Sequence, residues 1–205
     1  AEKESKDPRP WNWEDEITEK DWKQWDEELE KKWAIGIKEY LRFAGSMYFL
    51  DPHRKTTLDE GRKKDIRSFM VNFENDSDDL QEIFEMAIHL HLIDPSLSFE
   101  LNKKKWDSAE KMIEDSRQSQ DKTSRGDGLS LLIISHILNP GRIPFTSTDL
   151  EYLKTSSEDI FEVAAVLRLV TGEIITFPKD TWDQKIKNLE QHENHTSFID
   201  MAAFA

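Results

Sequence analysis

The histidines are the residues of this chain whose type and spacing first suggest chemistry, because pairs of them can bind a metal ion. His89 and His91 are two residues apart in a helical stretch, so they face different sides of the helix and cannot easily share a metal. His192 and His195 are three apart and share a helical face, but no third ligand stands at a suitable spacing. The histidines therefore predict no metal site.

Other catalytic signatures do not appear in the sequence. The chain has no cysteine, which excludes disulfide scaffolds, thiol catalysis, cysteine zinc sites and iron–sulfur clusters. It contains no H-E-x-x-H, no G-x-x-x-x-G-K-S/T, no G-x-G-x-x-G and no G-x-S-x-G. With 42 Asp and Glu in 205 residues, neighbouring carboxylates are expected by chance and do not indicate acid–base catalysis. We predict no catalytic residues and no cofactor.

Tryptophan is concentrated at the start of the chain, where five of the seven lie within the first 33 residues. Trp22, Trp25 and Trp33 have the spacing of a helix face that packs on a core. Trp11 and Trp13 lie outside that period, so they form either a hydrophobic latch or an arm that binds a partner. The apolar tail from Ser197 to Ala205 is a second candidate for docking. The predicted partner-binding residues are Trp11, Trp13, Phe198 and Phe204.

A basic cluster between His53 and Arg67 is the clearest positive stretch, with six basic and three acidic residues. A second basic run, Lys103–Lys105, could lie near it, and together they could bind phosphate or an acidic partner. The competing interpretation is that the acidic segment Glu74–Glu85 neutralises the cluster within the fold. The candidate phosphate or nucleic-acid contacts are Arg54, Lys55, Arg62, Lys63, Lys64 and Arg67.

The elements that position these residues are predicted to be helices. Residues 1–13 form a flexible polar tail, and 14–205 form the folded part. Apolar residues step by three or four from Thr18 to Ala44, which predicts one long Trp-rich helix. Further helices are predicted at Leu58–Phe73, between Ser77 and Asp94, and at Asn102–Arg117, Leu129–Leu138, Thr148–Lys154, Ser156–Gly172 and Asp180–Gln191.

Two segments depart from the helical pattern. Residues 116–128 are polar almost throughout and predict a mobile loop or a subdomain boundary. Glu173–Phe177 is the one strand-like stretch, and a lone strand has few partners. The fold class is therefore predicted to be all-α, a single globular helical domain of seven or eight helices with at most one short extended segment.

The formal charge of −14 bounds the partners of the protein. It opposes a surface that embraces nucleic acid throughout, and it opposes adsorption to anionic membrane. The longest uncharged run, Leu129–Asn139, is too short to span a bilayer. We expect a soluble protein inside the cell, in the cytoplasm or nucleus, without a membrane partner.

Three functions remain open on the sequence. The leading expectation is a non-catalytic helical domain that binds another protein as an interaction or adaptor module. The alternative is a nucleic-acid-associated helical domain, such as a replication, packaging or nucleoprotein-like module, acting through the local basic face. The second alternative is a helical enzyme whose site is assembled from dispersed residues, which sequence spacing does not detect.

Overall fold

The computed structural model describes residues 18–50, 58–97, 99–156, 160–173, 175, 178 and 180–181. Within these ranges the chain forms eight α-helices and one 3-10 turn, and no strand. The helices are α1 Glu19–Ile35, α2 Ile37–Leu50, α3 Glu60–Asp76, α4 Leu80–Ile93, α5 Lys103–Gln118, α6 Lys122–Leu138, α7 Ser147–Ser156 and α8 Ile160–Thr171, with the 3-10 turn at Pro95–Leu97 between α4 and α5. The all-α prediction is confirmed.

Side-chain caps explain where several of the helices begin. The carboxylate of Asp59 accepts the backbone N–H of Arg62 at 2.8 Å, and Asp79 accepts that of Glu82 at 3.0 Å. Asn102 and Asp121 do the same for α5 and α6. Such caps satisfy backbone donors that have no partner within the helix. Asp59 has the capping position of α3.

The predicted single helix from Thr18 to Ala44 is divided in the structure. Gly36 separates α1 from α2, and α1 carries Trp22, Trp25 and Trp33. Backbone hydrogen bonds nevertheless continue across the division, because Gly36 donates to the carbonyl of Lys32 at 3.0 Å and its own carbonyl accepts the N–H of Tyr40 at 3.1 Å. Glycine weakens a helix locally, which accounts for a division that the apolar pattern does not reveal.

The chain divides into two compact units. One comprises Ala1–Glu28 with Asp159–Ala205, and we call it the terminal unit; the other, Leu29–Glu158, is the middle unit. In the described part of the terminal unit, Trp22 is buried and meets the ring of Trp25 edge to face at 4.9 Å. Val166 and Leu167 of α8 are buried there as well.

Helix α4 forms the centre of the middle unit. It packs against α2, α3, α5 and α6, and eight of its residues are buried, from Ile83 to Ile93. The predicted helix Leu129–Leu138 is the second half of α6, and residues 131–135 are buried. Helices α4 and α6 therefore both contribute to the core of the middle unit.

Residues 116–128, predicted to be a mobile loop or a subdomain boundary, are mostly helical. Only residues 119–121 lie between α5 and α6, and both helices belong to the middle unit. They approach closely where Gly128 faces Ser116, since a Cβ added to Gly128 would lie 1.8 Å from the Ser116 hydroxyl oxygen. The cap at Asp121 and this close packing hold a polar sequence in a helix without an apolar stripe at its start.

The two remaining segments fall largely outside the described residues. Within the strand-like stretch 173–177, residues 173 and 175 have no regular structure, and in the last predicted helix only Asp180 and Thr181 are described. None of the described helices combines the length and the apolar composition that crossing a bilayer requires.

Candidate interaction surface

Six of the residues predicted to bind partners lie outside the described part of the chain. They are Trp11, Trp13, Arg54, Lys55, Phe198 and Phe204. Their roles stay predictions. The other four members of the basic cluster, Arg62, Lys63, Lys64 and Arg67, lie on α3 and are described individually.

Arg62 is paired within the middle unit. Its two terminal nitrogens donate to the two carboxylate oxygens of Glu30 at 2.8 and 2.5 Å. Its guanidinium carbon lies 4.8 Å from the centre of the Trp33 ring, which adds a cation–π contact. The hydrogen bond to Glu30 raises the pKa of Arg62, and the same bond lowers the pKa of Glu30. This geometry joins α1 to α3 and leaves Arg62 engaged within the fold.

Lys63 is also close to acidic groups of the fold. Its ammonium nitrogen lies 3.2 Å from a carboxylate oxygen of Glu60 and 3.7 Å from one of Asp94. The pKa of Asp94 is lowered, mainly by the hydrogen bond from the Ser96 hydroxyl, with Lys63 contributing. Arg62 and Lys63 are therefore compensated within the fold, but their acidic partners lie outside the segment Glu74–Glu85 that the sequence suggested.

Lys64 and Arg67 differ from their neighbours. Both are exposed, and neither side chain forms an ion pair or a hydrogen bond with another residue that the structure describes. The helical period places them on one side of α3 with Val71, which is 49% exposed. We call this side, formed by Lys64, Arg67, Ser68, Val71 and Asn75, the α3 face; all five residues are exposed.

The second basic run lies at the opposite end of α3. The backbone N–H of Asn102, just before α5, donates to Glu74 at 2.6 Å, and the Lys105 ammonium donates to the carbonyl of Ser77 at 2.6 Å. At 1.5 Å per residue, about 20 Å of helix separates Lys64 from residue 77. That spacing exceeds the roughly 8 Å screening length at physiological salt. Among the described residues, Lys64 and Arg67 therefore do not form one basic surface with the Lys103–Lys105 run.

Charge is unequally divided between the two units. The middle unit contains 23 acidic and 19 basic residues, a net charge of −4, so −10 of the total −14 belongs to the terminal unit. The α3 face thus belongs to the nearly balanced part of the chain, where two unpaired cations have more influence on the local potential.

A cleft between α5, α6 and α7, lined by both apolar and polar residues, was not predicted from the sequence. It is lined by residues that include Arg117, Arg125, Thr148, Asp149 and Tyr152, and its volume is about 20 Å³. The Arg117 guanidinium donates to both carboxylate oxygens of Asp149, at 3.2 and 2.8 Å. The sequence signal that could have indicated the start of α6, and so the place of Arg125, is Asp121, whose carboxylate caps the helix by accepting the backbone N–H of Ser124.

The contact between Arg117 and Asp149 shifts the pKa values of both groups. Burial acts to raise the pKa of Asp149, but hydrogen bonds from Arg117 and Thr146 outweigh it, so the pKa of Asp149 lies below its usual value. The bond to Asp149 raises the pKa of Arg117. Both groups therefore stay charged and bound to each other at neutral pH.

No group of three or more metal-ligating side chains comes together in the described ranges. No protein-family model, curated protein or solved structure matches this chain.

Proposed function

We propose that this protein is a non-catalytic helical domain that binds another protein, and that the α3 face forms part of the binding surface. The supporting observation is that Lys64 and Arg67 are exposed and uncompensated among the described residues, whereas Arg62 and Lys63 beside them are paired. We place this role inside the cell, in the cytoplasm or nucleus, as part of the same proposal.

The chemistry of the α3 face favours an acidic partner segment with one apolar residue. Lys64 and Arg67 would attract carboxylates and orient the approach, and Val71 offers apolar area for contact. A helix of 17 residues holds the three side chains in fixed register, so they lose little conformational freedom when a partner docks. The predicted arms, Trp11 with Trp13 and Phe198 with Phe204, would add anchors.

A protein partner is favoured over nucleic acid by the small number of cations on the α3 face. Two phosphate contacts, from Lys64 and Arg67, give a salt dependence of only about two ions released, which is typical of weak binding. The overall charge of −14 opposes any additional phosphate contacts. Protein binding is therefore the proposal, and the test below also measures binding to nucleic acid.

The test compares two charge-reversed proteins. Lys64→Glu with Arg67→Glu removes the cations of the α3 face, and Lys111→Glu with Lys154→Glu makes the same change at exposed residues of α5 and α7. Partners are identified by proximity labelling with wild-type protein, purified, and titrated against each variant by calorimetry. We expect the α3 variant to bind at least about tenfold more weakly and the control to bind like the wild type.

Two results would contradict this proposal. Equal affinity of both charge-reversed proteins would remove the α3 face from the interface. Loss of partners after nuclease treatment, with direct binding to RNA or duplex DNA that weakens between about 50 and 200 mM salt, would instead support the nucleic-acid alternative.

The aromatic arms require their own variants. Trp11→Ala with Trp13→Ala tests the first arm, and Phe198→Ala with Phe204→Ala tests the second, each against the purified partner. A drop in affinity for one pair identifies that arm as an anchor. Unchanged affinity of both double variants would exclude the two arms from the interface.

A further inference from the structure

The cleft between α5, α6 and α7 contains a guanidinium group without an acidic partner among the described residues. Arg125 lies in the first turn of α6 and is partly exposed, and the N–H groups of its guanidinium donate no hydrogen bond to another residue that the structure describes. A guanidinium is always charged, and its edge matches the two oxygens of a carboxylate. We propose that this cleft is a carboxylate-binding site with Arg125 as its anchor.

Arg125 is held in position by an aromatic ring. Its guanidinium carbon lies 4.0 Å from the centre of the Tyr152 ring. The Tyr152 hydroxyl in turn donates to the backbone carbonyl of Lys122 at 3.2 Å, which fixes the ring against the start of α6. Stacking covers one face of the guanidinium and leaves its in-plane N–H donors available, so a carboxylate meets an oriented group.

The acidic residue that lines the cleft, Asp149, is already paired with another residue. Asp149 accepts two hydrogen bonds from Arg117 and further ones from the backbone N–H and the hydroxyl of Thr146, the last two at 2.8 Å each. Asp149 is therefore occupied, and its charge is balanced by Arg117. The Thr148 hydroxyl also lines the cleft and has no partner among the described residues, so it is a second donor for the bound group.

The size of the cleft selects the ligand. A volume of about 20 Å³ has room for about one water-sized group, so one oxygen enters while the rest of the ligand faces solvent. A flat carboxylate satisfies this limit and the edge of Arg125 together. The bound group is therefore a carboxylate, from a free small acid or from a polypeptide.

The experiment follows the Nε–H signals of the arginines by NMR during titration with sodium acetate near neutral pH. Sodium chloride at equal ionic strength is the reference. Arg142 is an internal control, because it also stacks on an aromatic ring, Trp106 at 4.7 Å, but its Nε donates to Glu110 at 3.1 Å. We expect the Arg125 signal to shift saturably with acetate in about the millimolar range, and the Arg142 signal not to respond.

Variants and a second probe complete the test. Arg125→Gln should weaken acetate binding about tenfold or more, and Arg125→Lys should fall between it and the wild type, because lysine keeps the charge but loses the fork. Arg142→Gln should bind like the wild type. A capped Gly-Gly-Glu-Gly-Gly peptide that binds more tightly than acetate identifies a polypeptide source, and equal affinities identify a small acid.

Three results would overturn the site: a linear Arg125 shift equal to that in chloride, unchanged affinity in a folded Arg125→Gln variant, or stronger saturation by inorganic phosphate than by acetate. The wild-type comparison of Arg125 with Arg142 decides the matter even if a variant fails to fold. Because the α3 face lies on another helix, Lys64→Glu with Arg67→Glu should leave acetate binding unchanged. Failure of one proposal is thus distinguishable from failure of the other.

Discussion

Stability of the middle unit should decrease in mild acid because of His89. This residue of α4 is only 6% exposed, and a Cβ added to Gly45 of α2 would lie 2.2 Å from its Nδ1. The imidazole therefore fills the contact between the two helices. Burial, assisted by the charge of Arg42, lowers the pKa of His89 from 6.5 to about 4. His91, two residues later on the same helix, is exposed.

The sign and size of the effect follow from linkage. The unfolded chain binds a proton at His89 near pH 6.5, whereas the folded chain binds it only near pH 4, so stability is lost as the pH falls between these values. Between about pH 7 and pH 4.5 the loss attributable to His89 is about 2.5 kcal/mol. Carboxylates with lowered pKa values, such as Asp94 and Asp149, contribute their losses only below about pH 4.

The assay is urea unfolding followed by far-UV circular dichroism at several pH values from about 7 to 4.5. His89→Gln removes the titrating group, and His91→Gln is the matched control. We expect the free energy of unfolding of the wild type and of His91→Gln to fall by about 2.5 kcal/mol more than that of His89→Gln over this range. A His89→Gln variant with the same acid sensitivity as the wild type would refute the reasoning.

Two further predictions concern the packing of α5, α6 and α7. Asp149→Asn should lower the free energy of unfolding by about 2 kcal/mol at neutral pH, since Arg117 loses a charged acceptor, and the difference should shrink as the pH falls through the lowered pKa of Asp149. Gly128→Ala should cost about 1–3 kcal/mol, because the added carbon meets Ser116. Gly126→Ala, with nothing within 4 Å, should be neutral or stabilise by up to about 1 kcal/mol. Both alanine variants unfolding at the same urea concentration would contradict the close approach.

Helix α5 illustrates how much local sequence pattern predicts. The pattern predicts a helix over Asn102–Arg117, and the structure has Lys103–Gln118 with Asn102 as its cap. Trp106, Ala109 and Ile113 are buried, whereas Met112 of the same helix is 41% exposed. The spacing of apolar residues identifies a helix and the centre of its buried side. The burial of a residue at the edge of that side depends on how far the neighbouring helices cover it.

The polar start of α6 shows where pattern reasoning fails. Residues 122–128 contain no apolar side chain to report a buried side, so the sequence favours a loop. Gly128 packs against Ser116, however, and the Arg125 guanidinium stacks on Tyr152 of α7. These contacts come from other helices, and no periodicity within residues 116–128 encodes them.

The helical class of this chain can be derived from its sequence alone, because helix periodicity and caps such as Asn102 act over three or four residues. The set of charges that remain available depends instead on how the helices pack. Arg62 pairs with Glu30 and Arg117 with Asp149, each across 32 residues of sequence. Lys64, Arg67 and Arg125, in contrast, are exposed or partly exposed cations that have no ion-pair partner among the described residues. Composition counts all of these groups equally, whereas packing between helices brings some within hydrogen-bonding distance and leaves others facing solvent.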